Sequence, residues 1–136
     1  MMMWFANLRK NEKGQSMVEL ALILPIIIVI LFGILEFGRI FHSYLVITHA
    51  AREGVRYGTV GKTDAEIIGR IREAAPLPEA DTKLHVTKLE PSQSSRTSGL
   101  PLTVEITYDI ALITPIFSDF LPNPVTLRAQ STMRVE

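Results

Sequence analysis

Two carboxylates, Glu19 and Glu36, frame the strongest pattern in the chain. Between them Leu20 to Leu35 reads LALILPIIIVILFGIL, 16 residues without a charge or a hydrogen-bonding side chain. A carboxylate beside such a run acts by pairing: buried among neighbouring apolar helices, Glu19 needs a cationic partner or a proton. The other reactive groups carry less. His42 and His49 stand two turns apart and His85 lies on a separate segment, so together with Glu53 they do not make a metal site. Gly61-Lys62-Thr63 matches the end of a phosphate loop, but the first Gly of that motif would fall at position 56, which is Arg. A hydrolase would need Glu19, His42 and His49 to face one pocket, and no nucleophile elbow or Ser/His/Asp set accompanies them. With no Cys, thiolate zinc sites, disulfides and Cys nucleophiles are excluded as well. The expectation is a chain without catalysis, cofactor, metal or small-molecule substrate.

The elements that hold these residues follow from composition. In 136 residues there is room for one small domain, and 14 Lys plus Arg against 14 Asp plus Glu leave no surplus charge for a phosphate backbone, so nucleic acid is not an expected partner. Hydrophobic residues make up 47% of the chain, and the run between the two glutamates concentrates them. Thirteen of its 16 residues are Leu, Ile, Val or Phe. At about −0.3 to −0.6 kcal/mol each, they favour membrane insertion by roughly 4 to 8 kcal/mol. The run alone covers about 24 Å as a helix, whereas residues 17–38 cover about 33 Å, enough for a hydrocarbon core of about 30 Å. Glu19 and Glu36 then fall near the two headgroup layers, where a carboxylate costs less than at the centre.

The preceding flank, MMMWFANLRKNEKG, carries Arg9, Lys10 and Lys13 against Glu12. By the positive-inside rule it stays in the cytoplasm and sends everything after Arg39 across the membrane. A signal peptide would show small residues at a cut site soon after the apolar core, and Glu36-Phe37-Gly38-Arg39-Ile40-Phe41 follows instead.

At the front edge of the run, Gly14-Gln15-Ser16-Met17-Val18-Glu19 sets a Gly at the end of a basic leader and a Glu five residues beyond it. This arrangement resembles a type IV prepilin processing site. The longer stretch Gly14 to Gly58 resembles the N-terminal homology segment of TadE-like pseudopilins of the tight-adherence (Flp) pilus system. It carries Val18-Glu19-Leu20-Ala21-Leu22, the mid-run Pro25, Glu36-Phe37-Gly38-Arg39 and Ala50-Ala51-Arg52-Glu53-Gly54. Glu19 is followed by Leu20 where the related major pilins usually carry Tyr, which points to the minor pseudopilin branch. The resemblance implies that a prepilin peptidase cuts after Gly14, that Gln15 becomes the new N-terminus, and that the helix is kept. It also implies that Glu19 pairs with the freed amine of a neighbouring subunit and so sets the stagger between pilins; a desolvated pair can enforce register while adding little net stability. Other pilins, a membrane platform and an assembly ATPase are the implied partners, beside membrane lipid. The contrasting expectation is an uncleaved single-pass anchor carrying a binding or sensing head.

Three regions are therefore expected: a leader over 1–14, an N-terminal helix over 15–58 that spans the membrane over about 17–38, and an extracytoplasmic α+β head over 59–136. Pro25 lacks an N–H and its ring clashes with the Ala21 carbonyl, which predicts a kink or local loosening. Ile40, Tyr44, Ile47 and Ala51 recur at helical spacing as an inward stripe, and Gly54 and Gly58 read as a helix ending rather than a dimer motif. Thr63-Asp64-Ala65-Glu66 is a capping box for a helix to about Ala75, with Ile67, Ile68 and Ile71 inward. Thr82 to Leu89 reads as a strand and Pro91 to Gly99 as a mobile polar loop. Leu102 to Ile110 and Val125 to Val135 alternate with period two, and the sheet they form should lay its apolar face on the first helix. Thr114-Pro115 predicts an N-cap followed by Pro at the first helical position. The turn that follows carries Ile116, Phe117, Phe120 and Leu121, and is expected to close the core rather than form a contact patch.

Overall fold

The computed structural model describes residues 12–136; the first eleven residues of the expected leader, Arg9 and Lys10 among them, lie outside the described residues. The element order is α1 (Glu12–Thr59), α2 (Asp64–Ala74), α3 (Ala80–Lys83), β1 (Leu84–Glu90), a 3-10 turn (Gln93–Ser95), β2 (Pro101–Ile110), α4 (Pro115–Ser118) and β3 (Val125–Arg134). The fold is α+β: a long N-terminal helix, apolar over its first part, whose residues 36–59 pack with a small head of short helices and a three-stranded antiparallel sheet in the order β1-β2-β3. A division between two compact units falls between Leu35 and Glu36.

In the first unit, every Met, Val, Leu, Ile and Phe of α1 from Met17 to Leu35 is exposed. A core helix would hide one face of such a run. This stretch is long and apolar enough to cross a membrane, and α1 continues unbroken through Pro25.

In the second unit, α1 is amphipathic. Its buried positions are Glu36, Ser43, Ile47, Ala50, Ala51, Gly54, Val55, Gly58 and Thr59, spaced by three and four as one helix face requires. Ser43 takes the place expected for Tyr44, which is exposed. An aromatic one position further along lies about 100° around the helix, so it falls off the buried stripe. α1 ends at Thr59, one residue past Gly58, as expected, and both glycines also allow close approach. A Cβ on Gly54 would meet Ile71 Cγ1 at 2.4 Å, and one on Gly58 would meet Leu102 Cδ2 at 2.4 Å.

The capping box at α2 forms in full. Thr63 Oγ1 accepts the Glu66 N–H at 3.3 Å, and the Glu66 carboxylate accepts the Thr63 N–H at 2.9 Å. Ile67 and Ile71 are fully buried and Ile68 half-buried. Across the sheet, Leu102, Val104, Ile106, Tyr108 and Ile110 of β2 face the core that α1 and α2 complete. The expected strand from Thr82 begins instead at Leu84, because residues 80–83 form α3. Its pairing shifts between Val86 and Lys88. This bulge at Thr87 brings Leu84, Val86 and Leu89 onto one face despite their uneven spacing.

The polar loop after β1 is anchored rather than mobile. Arg96, whose side chain is 5% exposed, donates to the Pro91 carbonyl at 3.1 Å, to the Lys62 carbonyl at 3.0 Å and to the Asp64 carboxylate. The turn at residues 113–121 also departs from expectation. Thr114 does hold the N-cap position with Pro115 next, but Phe120 is 83% exposed, Ile113 69%, Ile116 48% and Leu121 46%. The turn therefore leaves Ile113, Ile116, Phe120 and Leu121 in the open, with Phe117 half-buried, and the core closes without them because α1 and α2 already cover the apolar face of the sheet.

Candidate functional site

The residues singled out at the front of α1 lie along one face-to-face turn of helix. Gly14 and Gln15 are helical and exposed, near the start of the described part of α1. Gln15 Nε2 donates to Glu19 Oε1 at 3.4 Å, one turn on, with both side chains exposed. Pro25 follows at the middle of the apolar run, where the Ala21 carbonyl has lost its i+4 donor. Glu19 thus stands on the exposed surface of the helix, with a neutral amide of its own chain against one carboxylate oxygen.

A second carboxylate forms a site that sequence reasoning placed only at the headgroup level. Glu36 is 5% exposed. Arg39 Nη1 donates to its Oε1 at 2.9 Å, and the Ile113 N–H donates to both oxygens, at 3.2 Å and 3.3 Å. Thr114 Oγ1 donates to Oε2 at 3.2 Å. The Thr114 hydroxyl therefore caps no helix; it serves the carboxylate, and α4 has no side-chain cap. A buried charge with one cation and neutral donors in this geometry is satisfied, and it fixes the turn after β2 against α1. Its signal in the sequence was the i, i+3 spacing of Glu36 and Arg39.

Two of the discounted groups, Lys62 and Glu53, have ordinary partners. Gly61 adopts a φ of 82°, the left-handed region open to glycine, and so turns the chain from α1 into the Thr63 cap. Lys62 Nζ lies 3.6 Å from Glu66 and 5.4 Å from the centre of the Tyr57 ring. The Glu53 carboxylate takes Arg70 at 3.4 Å and Arg56 at 3.8 Å. Its acidic partners hold the Arg70 guanidinium above the usual arginine range, chiefly through Glu73 and then Glu53. Among the described residues, no cluster of His, Asp and Glu suited to a metal ion occurs.

The stretch that contains Gly14, Glu19, Pro25 and Glu36 also carries the family signature. Over residues 14–56 the chain matches the TadE-like protein family. The TadE-like segment begins at the Gly of the expected processing site and ends inside α1, three residues short of Thr59. It therefore takes in the exposed apolar stretch, the Glu36–Arg39 pair and the close-packing Gly54, and leaves out α2 and the sheet. Neither curated proteins nor solved structures give a match to the chain.

Proposed function

We propose that this chain is a pseudopilin-like structural subunit for assembly of a tight-adherence, type IV-like pilus, held in the bacterial cytoplasmic membrane before assembly. The observation that carries the reading is the coincidence of the TadE-like match, starting at Gly14, with a helix whose apolar residues are exposed from Met17 to Leu35. Prepilin peptidase cuts the basic leader after Gly14 on the cytoplasmic side, Gln15 becomes the N-terminus, and α1 remains as the anchor with the head outside.

In the membrane the exposed apolar surface is solvated by lipid; in a filament, neighbouring helices replace the lipid at little cost. The Glu19 carboxylate then requires a cation, and the Gln15 amine of an adjacent subunit supplies it. That pair sets the axial register between subunits. Other pilins or pseudopilins, the assembly platform and its ATPase are the partners, and no catalytic role is assigned to this chain.

Mass spectrometry of the protein from its native host tests the reading. A mature N-terminus at Gln15, lost on Gly14→Ala, supports it. An intact leader on an assembly-competent cell overturns it in favour of an uncleaved single-pass anchor with a binding or sensing head.

A further inference from the structure

We propose that residues 112–121 form an amphipathic foot that sits in the lipid headgroup and upper acyl layer of the membrane that α1 spans; the inference rests on the membrane-anchored reading of α1. Elsewhere over residues 59–136 the exposed large hydrophobics stand singly, at Val60, Leu100 and Met133, whereas in the foot they gather. Ile113, Ile116, Phe120 and Leu121 are all exposed within nine residues, and Asp119 is the sole charged residue of the segment. Phe37 and Phe41, at the adjoining turns of α1, are 70% and 53% exposed, and their rings stack at 6.5 Å. A soluble domain does not ordinarily gather this much exposed aromatic and aliphatic surface without an occupant for it.

The occupant follows from where the foot is tied. Glu36 is the residue next after Leu35, the last of the uncharged run, and its carboxylate accepts from both Ile113 and Thr114. Arg39, one turn on, reaches the Ala111 carbonyl at 3.5 Å. The foot is therefore tied to the residue that directly follows the uncharged run, where the hydrocarbon must end, and an apolar patch tied at that point meets lipid first.

Its backbone is prepared for a layer poor in water. Phe117 N–H donates to the Thr114 carbonyl at 3.1 Å, Leu121 N–H to the Phe117 carbonyl at 2.9 Å, and Leu112 N–H to Asn123 Oδ1 at 3.1 Å. The Ile113 N–H is spent on Glu36. Interfacial insertion requires backbone donors to be satisfied within the protein in this way, while a single carboxylate such as Asp119 is tolerated at headgroup depth.

Single-tryptophan variants of the full chain, reconstituted in phosphatidylcholine/phosphatidylglycerol vesicles, test this. The native Trp4 is replaced (Trp4→Phe), and one Trp is introduced at a time: Phe120→Trp in the foot, Phe32→Trp in the run and Val60→Trp, about 36 Å along the helix from Glu36, as the control. Lipids brominated near the top of the acyl chain should remove most of the fluorescence at position 120, and leave position 60 unchanged. Quenching at 32 but not at 120 overturns the foot and leaves the membrane anchor standing. Loss of quenching at both overturns both. A blue shift at 120 that depends on protein density and ignores bromine assigns the patch to a second copy, and equally overturns the proposal.

Discussion

The Glu36 carboxylate accepts the backbone N–H of Ile113 across 77 residues of chain. Truncating it strands that N–H and the Thr114 hydroxyl and leaves Arg39 without its acid. Glu36→Ala should cost about 2 kcal/mol, the scale for orphaning part-buried donors, and Glu36→Gln about half of that because an amide oxygen can still accept from Ile113. Thermal unfolding of the detergent-solubilised chain checks the order; equal loss in both variants would mean that the charge, and not the acceptor, matters.

Gly54 and Gly69 are both helical glycines with opposite surroundings. A methyl group at Gly54 meets Ile71 Cδ1 at 2.7 Å, closer than side chains tolerate, whereas one at Gly69 meets nothing within 4 Å. Overpacking costs about 1 to 3 kcal/mol and the gain in helix propensity is about 1 kcal/mol. Gly54→Ala should therefore destabilise by about 1 kcal/mol, and Gly69→Ala should stabilise by up to about 1 kcal/mol. Denaturation midpoints moving in the same direction would contradict this.

The capping box makes α2 sensitive to acid. Hydrogen bonds from the Thr63 backbone and hydroxyl, then the nearby Lys62, hold the Glu66 carboxyl below its ordinary range. Because the folded value lies below the unfolded one, the contribution is complete above the ordinary glutamate range and is lost as pH falls through the lowered value. Glu66→Gln keeps the box without the titration, so its stability should vary less with pH in that window. Thr63→Ala removes the cap and should cost about 1 kcal/mol at neutral pH.

Arg96 holds the Pro91–Gly99 loop through three separate acceptors. Lysine cannot reproduce a planar fork of donors. Arg96→Lys and Arg96→Ala should both speed amide hydrogen exchange across residues 92–100, the alanine more, with a loss near 2 kcal/mol. Unchanged exchange in the alanine variant would show that the loop is held by other means.

Much of this architecture was legible because local chemistry and tertiary context agree. Thr63 and Glu66 specify a cap that needs no distant partner, and the alternation of β2 survives because one face of the strand is buried. The misreadings have physical reasons. Apolar spacing at Ile116, Phe120 and Leu121 reports that the side chains avoid water, but it does not distinguish protein from lipid as their destination. Arg96 sits among Ser and Thr in a segment with no periodicity, and its acceptors at Lys62 and Asp64 are more than 30 residues away. The same distance hid the Glu36 site, whose donors arrive from beyond β2. Gly54 and Gly58 do stand near the end of α1 at Thr59, but sequence records only the missing side chains and not the isoleucine and leucine that occupy their space.

The backbone N–H of Glu136 donates to the Thr59 carbonyl at 3.2 Å, at the far end of the helix from the Glu36 contacts. A pull transmitted along α1 would thus reach the globular part through two clamps, one at each end of the shared length. Between them Ile47, Ala50, Ala51 and Val55 are buried in the core, so such a pull would meet the head along the whole shared length and not at one joint.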